Sequence, residues 1–226
     1  MLNSQLQHLW DEYAKSERVR VRSESLKKLD AFVEAALHSD LRQIEDWARD
    51  LVAKSSEDTE ETPIRMPLFR AVLFPILLSG YQRSDVESIW LLSRLSQLLY
   101  NAPDCAALLP ESDRTEYGLL LKLHRLSPSP PKAGSRLLEI LYARYEYALH
   151  ELPAGVLYGH DGATPDQCVE MLEELAFFEE IAQSEPKVAY AELITKSRYH
   201  ITAYREYLMT RNSEDTYERY ISNRNA

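Results

Sequence analysis

Apolar side chains in this chain return every three or four residues and almost nowhere every two. Leu41, Ile44, Ala48, Leu51 and Val52 make one such run; Val86, Ile89, Trp90, Leu92, Leu95 and Leu99 make another. Leu138, Leu141, Tyr142, Tyr145, Leu149 and Leu152 continue the pattern, as do Val188, Ala191, Ile194, Ile201, Tyr204 and Leu208. That spacing puts each set on one stripe of a helix, whereas a half-buried strand needs strict alternation. The one alternating stretch, "RVRVR" from Arg18 to Arg22, is too short to found a sheet. Only 6 glycines in 226 residues, beside many Leu, Ala and Glu, push the same way. The expected fold is all-α: an irregular helical bundle of about eight helices, with a degenerate α-solenoid of helix pairs as the alternative.

Oxygen-bearing residues able to accept the orphan amides of a first helical turn stand at the heads of these runs. Ser39-Asp40, Ser84 with Glu87 in box spacing, Ser112-Asp113, Ser184 and Ser213 are such starts. "TPDQ", Thr164 to Gln167, has a cap, a proline at the first helical position and a reciprocal Gln. Pro75, inside the apolar run "LFRAVLFPILLSGY", is expected to kink or split a buried central helix. Two stretches read as breaks: the acidic "SSEDTEETP" (Ser55 to Pro63) and the Pro-rich "SPSPPKAGS" (Ser127 to Ser135). Pro128 and Pro131 satisfy a PxxP spacing, which in such a stretch reads first as a stiff connector. These marks suggest a single all-helical domain, 1–226, with 1–54 as an N-terminal lobe, 55–62 as an acidic loop and 63–226 as the main bundle.

Charge narrows the function classes. Of the net −10, residues 133–184 supply −8, with 2 basic and 10 acidic side chains. Phosphate-backbone binding needs clustered Lys and Arg, which no segment provides, so nucleic acid is not the expected partner. The longest apolar run, Ala71 to Leu78, is far short of the roughly 20 residues a membrane span requires, so no membrane is expected either. Two cysteines, Cys105 and Cys168, cannot build a disulfide framework or a four-thiolate metal site. A cytoplasmic protein without cofactor or metal is the simplest expectation.

Three features bear on chemistry. The loop "GVLYGHDGA" from Gly155 to Ala163 holds His160-Asp161, which resembles the paired dyad of the HD-type metal phosphohydrolases. The likeness covers two adjacent residues, and Gly159 and Gly162 on either side favour a turn. Cys168 lies near a helix N-terminus, where the dipole lowers a thiol pKa and a Cys-His pair with His160 can be drawn. It also shares a helical face with Met171, Leu172 and Leu175, where a cysteine is a small buried hydrophobe. No GxSxG, P-loop, Rossmann or HExxH pattern occurs. In the C-terminal segment Tyr199, Tyr207, Tyr217 and Tyr220 interleave with Arg198, Arg205, Arg211 and Arg219, and packing onto the bundle is the expected role of those tyrosines.

The helix after Thr164 carries the strongest functional pattern. At 100° per residue, Cys168, Met171, Leu172, Leu175, Phe178 and Ala182 form one apolar face. Glu170, Glu173, Glu174 and Glu180 ring Phe177 and Ile181 on the other. An apolar anchor within a carboxylate rim fits a basic partner; the competing reading has Phe177 packed against a neighbouring helix. The expected function is a non-enzymatic protein-binding module with an acidic docking face, of the immunity or antitoxin type of inhibitor, acting on a basic partner protein. An oligomeric scaffold self-associating through the Tyr-rich C-terminus, and a helical enzyme using the His160-Asp161 loop, are the alternatives.

Overall fold

The computed structural model describes residues 2–19, 22–55, 63–127, 131–152, 164–185, 187–210 and 216–224. The described chain is all-α and contains no strand. Helices outnumber the eight expected, because short helical turns fill stretches that lack a full period. None is long and apolar enough to cross a membrane. The acidic loop, the Pro-rich connector at 128–130, the His160-Asp161 loop, Arg211 and the Ser213 helix start lie outside the described residues.

The chain divides into two compact units, Met1–Ala133 and Gly134–Ala226. In the first, α1 (Ser4–Val19) and α2 (Arg22–Leu37) pair along their length, and α3 (Leu41–Ser55) joins them. Trp10, Phe32 and Trp47 come one from each helix and meet with ring centroids 4.9–5.3 Å apart, in tilted or edge-on geometry. These three helices fall in the same compact unit as the chain up to Ala133. α2 and α3 also pack on the helix that follows the acidic loop, and the Tyr13 hydroxyl donates to the Pro63 carbonyl at 2.8 Å.

That next helix is the buried centre of the unit. α4 (Met66–Leu68), a π-helical turn (Phe69–Leu73) and α5 (Phe74–Gln82) run on without a break. Leu68, Phe69, Val72, Leu73, Phe74, Ile76 and Leu77 are all buried, as an apolar run on every face requires. Pro75 does not split it. The N–H of Phe74 bonds five residues back to Phe69, and Pro75 falls in the first turn of α5, where its missing donor goes unneeded.

α6 (Val86–Arg94) begins one residue later than its Ser84 signal implies. Ser84 stands at φ 58 as the left-handed residue closing α5, with Ser84 N–H bonded to Tyr81 O and Asp85 N–H to Gly80 O. The cap role passes to Asp85, whose carboxylate accepts from Ser88 N–H and Oγ and from Arg49 at 2.8 Å. α7 (Ser96–Tyr100), α8 (Pro103–Ala106), a 3-10 turn (Glu111–Asp113) and α9 (Glu116–Leu126) complete the unit, and Thr115, not Ser112, caps α9. Beneath them Asp113 accepts from Tyr81 at 2.5 Å and from Ser112 at 2.7 Å, and pairs with Lys122 at 3.3 Å.

The second unit holds α10 (Pro131–Glu151), α11 (Pro165–Ala182), α12 (Val188–Thr210) and α13 (Tyr217–Arg224). Phe178 stacks on Tyr145 at 6.0 Å and meets Tyr190 edge-on at 5.7 Å, linking α10, α11 and α12 through the core. Tyr204, Tyr207 and Tyr217 form a second aromatic cluster that seats α13 on α12. These tyrosines are packing residues.

Candidate interaction face on α11

Local chemistry starts α11 where the sequence does. Thr164 Oγ1 accepts from the Gln167 N–H at 3.3 Å, and the Gln167 side chain accepts from the Thr164 N–H at 2.8 Å. The reciprocal bonds satisfy two orphan amides, and Pro165 supplies a preset φ. From this fixed start every later side chain takes its angle around the axis.

Two neighbours then cover α11 over a wide arc. On the α12 side Cys168, Leu175, Phe178 and Ala182 are buried. On the α10 side the Tyr145 hydroxyl donates to the Met171 carbonyl at 2.6 Å, and Arg144 pairs with Glu174. Ile181 lies toward this side, only 5% exposed, and so belongs to the core. The expectation that Ile181 forms an exposed anchor with Phe177 is corrected accordingly. One apolar stripe implies a single packing partner, and the second partner buries about 60° more of the circumference. Glu174 is likewise withdrawn from the rim, its carboxylate taken up by Arg144 and lying 3.3 Å from the Tyr145 hydroxyl.

The remaining residues form a narrower, straighter feature. Asp166, Glu170, Glu173, Phe177 and Glu180 follow one another at steps of four, three, four and three. They fall within an arc of about 80° and span about 21 Å of helix. The four acids are exposed, and among the described residues none of them has an ion-pair partner. Phe177, in their midst, is half-buried and makes contacts within the fold. Glu179 points elsewhere and meets Arg198 of α12 at 2.5 Å. Asp166, in the first turn, is favoured by the helix dipole, but the like-charge pairs Asp166–Glu170 and Glu170–Glu173 each cost about 0.2–0.5 kcal/mol. No basic residue stands in the last turn, where Glu180 faces the negative end of the helix dipole.

The nucleophile drawn at Cys168 is removed by the packing. Its thiol is fully buried, and burial pushes its pKa up to about 11, the opposite of the activation a helix N-terminus gives. His160 and Asp161 fall outside the described residues. Among those described, no group of three or more His, Cys, Asp and Glu side chains could hold a metal ion. His200 Nδ1 lies 3.2 Å from the Tyr217 hydroxyl, which donates to the His200 carbonyl at 3.1 Å; burial, with Lys196 nearby, lowers its pKa. This arrangement fastens α13 and offers no open catalytic pair.

Sequence reasoning missed the surface made by the C-terminal tyrosines and arginines that stay partly exposed. Tyr199 is 40% exposed, with the Arg224 guanidinium 6.0 Å from its ring centre. Their alternation along the chain was visible, but which of them face solvent depends on how α13 lies on α12. No family model, curated protein or solved structure matches this chain.

Proposed function

We propose that this chain is a non-enzymatic protein-binding module whose α11 stripe docks a basic partner protein, with an inhibitor of the immunity or antitoxin type as its specific form. The observation that carries the reading is the row of unpaired carboxylates at Asp166, Glu170, Glu173 and Glu180 on one exposed face. Elsewhere on the same helix Glu174 and Glu179 are matched by Arg144 and Arg198. The stripe is thus left without cations among the described residues, within a fold that supplies them to its neighbours. A basic surface meeting it removes the repulsion, speeds encounter and releases the cost carried by the free helix. Phe177 supplies a central apolar contact at most half available, so charge rather than apolar burial governs this docking.

The test is parallel capture with three baits: wild type, E170Q/E173Q/E180Q, and D30N/E34Q/D46N. The last removes the same formal charge from exposed acids of the first unit that have no ion pair. Wild type and the control retain the same basic protein, and the α11 variant loses it while melting no lower than wild type. Equal retention by all three baits would overturn the assignment.

A further inference from the structure

We propose that α12 and α13 form a second docking groove, for a linear acidic segment that carries an apolar residue beside its carboxylates. It is distinct from the α11 stripe in position and opposite to it in charge.

Two hollows lie side by side on this surface. One, of about 340 Å³, is bounded by the Glu179–Arg198 pair together with Ile194, Tyr199, Thr202 and Arg224. The other, of about 300 Å³, is bounded by Arg219, Tyr220, Asn223 and Arg224. Arg224 borders both, so a ligand lying across its side chain reaches the two hollows at once. Beside the Glu179–Arg198 pair, the first hollow offers the Tyr199 ring, 40% exposed, against which one apolar side chain can pack. The second is lined by guanidinium and amide donors and suits carboxylates. An apolar residue in the first hollow therefore brings a neighbouring carboxylate to Arg224.

The arginines are positioned for this. Arg198 meets Glu179 through a single terminal nitrogen, and Arg224 meets Glu206 in the same way. A guanidinium has five N–H donors, so each carboxylate fixes its arginine and leaves donors for a second acceptor. The Arg219 side chain has no hydrogen-bond or ion-pair partner among the described residues, though it borders the groove. Three arginines against two glutamates leave a charge of only +1, too little for a phosphate backbone, which needs cations in number. A short acidic peptide matches that modest excess, and Tyr and Arg are the residues that carry such interfaces.

The experiment is fluorescence anisotropy with the full chain and a labelled peptide of about twelve residues in which leucine alternates with aspartate and glutamate. Saturable binding is expected at low salt, with a Kd on the order of 10–100 μM. R219E, which touches no contact of the fold, weakens it about tenfold or more, and Y199A also weakens it. The same peptide with asparagine and glutamine in place of the acids does not bind, and E170Q/E173Q/E180Q binds as wild type does. Absence of saturable binding overturns the proposal, as does an R219E affinity equal to wild type. Tighter, R219E-sensitive binding of a single-stranded oligonucleotide overturns it in favour of a nucleic-acid surface. Circular dichroism accompanies each variant, and R219E alone decides if Y199A loses helix.

Discussion

Replacing Gly118 by alanine sets two effects of known sign against each other. Gly118 lies in the first turn of α9, its N–H bonded to Thr115 Oγ1 at 3.0 Å. Alanine in a helix is favoured over glycine by about 0.8–1 kcal/mol. A Cβ here, however, would stand 1.7 Å from the Ser112 carbonyl oxygen, 2.8 Å from its carbon and 3.3 Å from the Asp113 Cα. All three are backbone atoms, so no side chain can swing aside. The 3-10 turn must retreat by well over 1 Å, taking with it the Asp113 carboxylate that holds Tyr81, Ser112 and Lys122. Overpacking of this kind costs about 1–3 kcal/mol, and loosening a buried network adds about 1–3 more. The clash wins, and Gly118→Ala is expected to destabilise the first unit by roughly 2–4 kcal/mol, lowering Tm by roughly 5–15 °C. Gly134→Ala is the matched control. Nothing lies within 4 Å of its added Cβ, so only the propensity gain applies and stability rises by about 0.5–1 kcal/mol. Thermal melts followed by circular dichroism read both. A Gly118→Ala protein as stable as wild type, or two variants shifted alike, would refute the close approach of α9 to the 3-10 turn.

Ser197 is fully buried on α12 and its hydroxyl lacks a hydrogen-bond partner among the described residues, so Ser197→Ala is expected to stabilise by about 1 kcal/mol in denaturant titration; a loss of stability would reveal a bond to that oxygen. Cys105 and Cys168 are free and buried, with both thiol pKa values raised by burial, so a thiol reagent at pH 8 is expected to modify neither until denaturant is added; rapid native labelling would contradict the packing. Burial alone would raise the Asp113 pKa, but hydrogen bonds from Tyr81, Ser112 and Lys122 outweigh it and hold the carboxyl below its ordinary 3.8. A depressed folded pKa means stability present above that value and lost as pH falls through the folded one. Asp113→Asn is therefore expected to lower stability at pH 7 and to flatten its decline below about pH 4; an undiminished acid decline in the variant would assign it to other groups.

The sequence was readable where the deciding partners are close in the chain. The Thr164–Gln167 box needs only three residues, and the helical period needs only one turn. Ser84 was misplaced because two local rules compete there, and the close of α5 claims it before α6 can use it. Pro75 reads as a helix breaker, and a π turn ahead of it, with Phe69, Val72 and Leu73 buried, absorbs it. At the candidate face, the acids of α11 were legible as a stripe. Ile181 and Glu174 were misassigned because the width of the buried arc depends on α10, whose Arg144 lies 30 residues away in the chain. A periodic pattern shows which face is apolar, but the number of neighbours that cover a helix is a tertiary property. The Tyr81–Asp113–Lys122 network and the groove beside Tyr199 were hidden for the same reason.

The most direct measurement is calorimetric titration of the basic protein captured by wild type, repeated at low and moderate salt with the α11 variant and the charge-matched control. Exposed ion pairs contribute about 0.2–1 kcal/mol each, so E170Q/E173Q/E180Q is expected to bind roughly 3- to 150-fold more weakly, with a shallower salt dependence. D30N/E34Q/D46N is expected to stay within about threefold of wild type. Equal weakening of the two variants would mean that net charge alone attracts the partner, and the α11 stripe would not be its docking site.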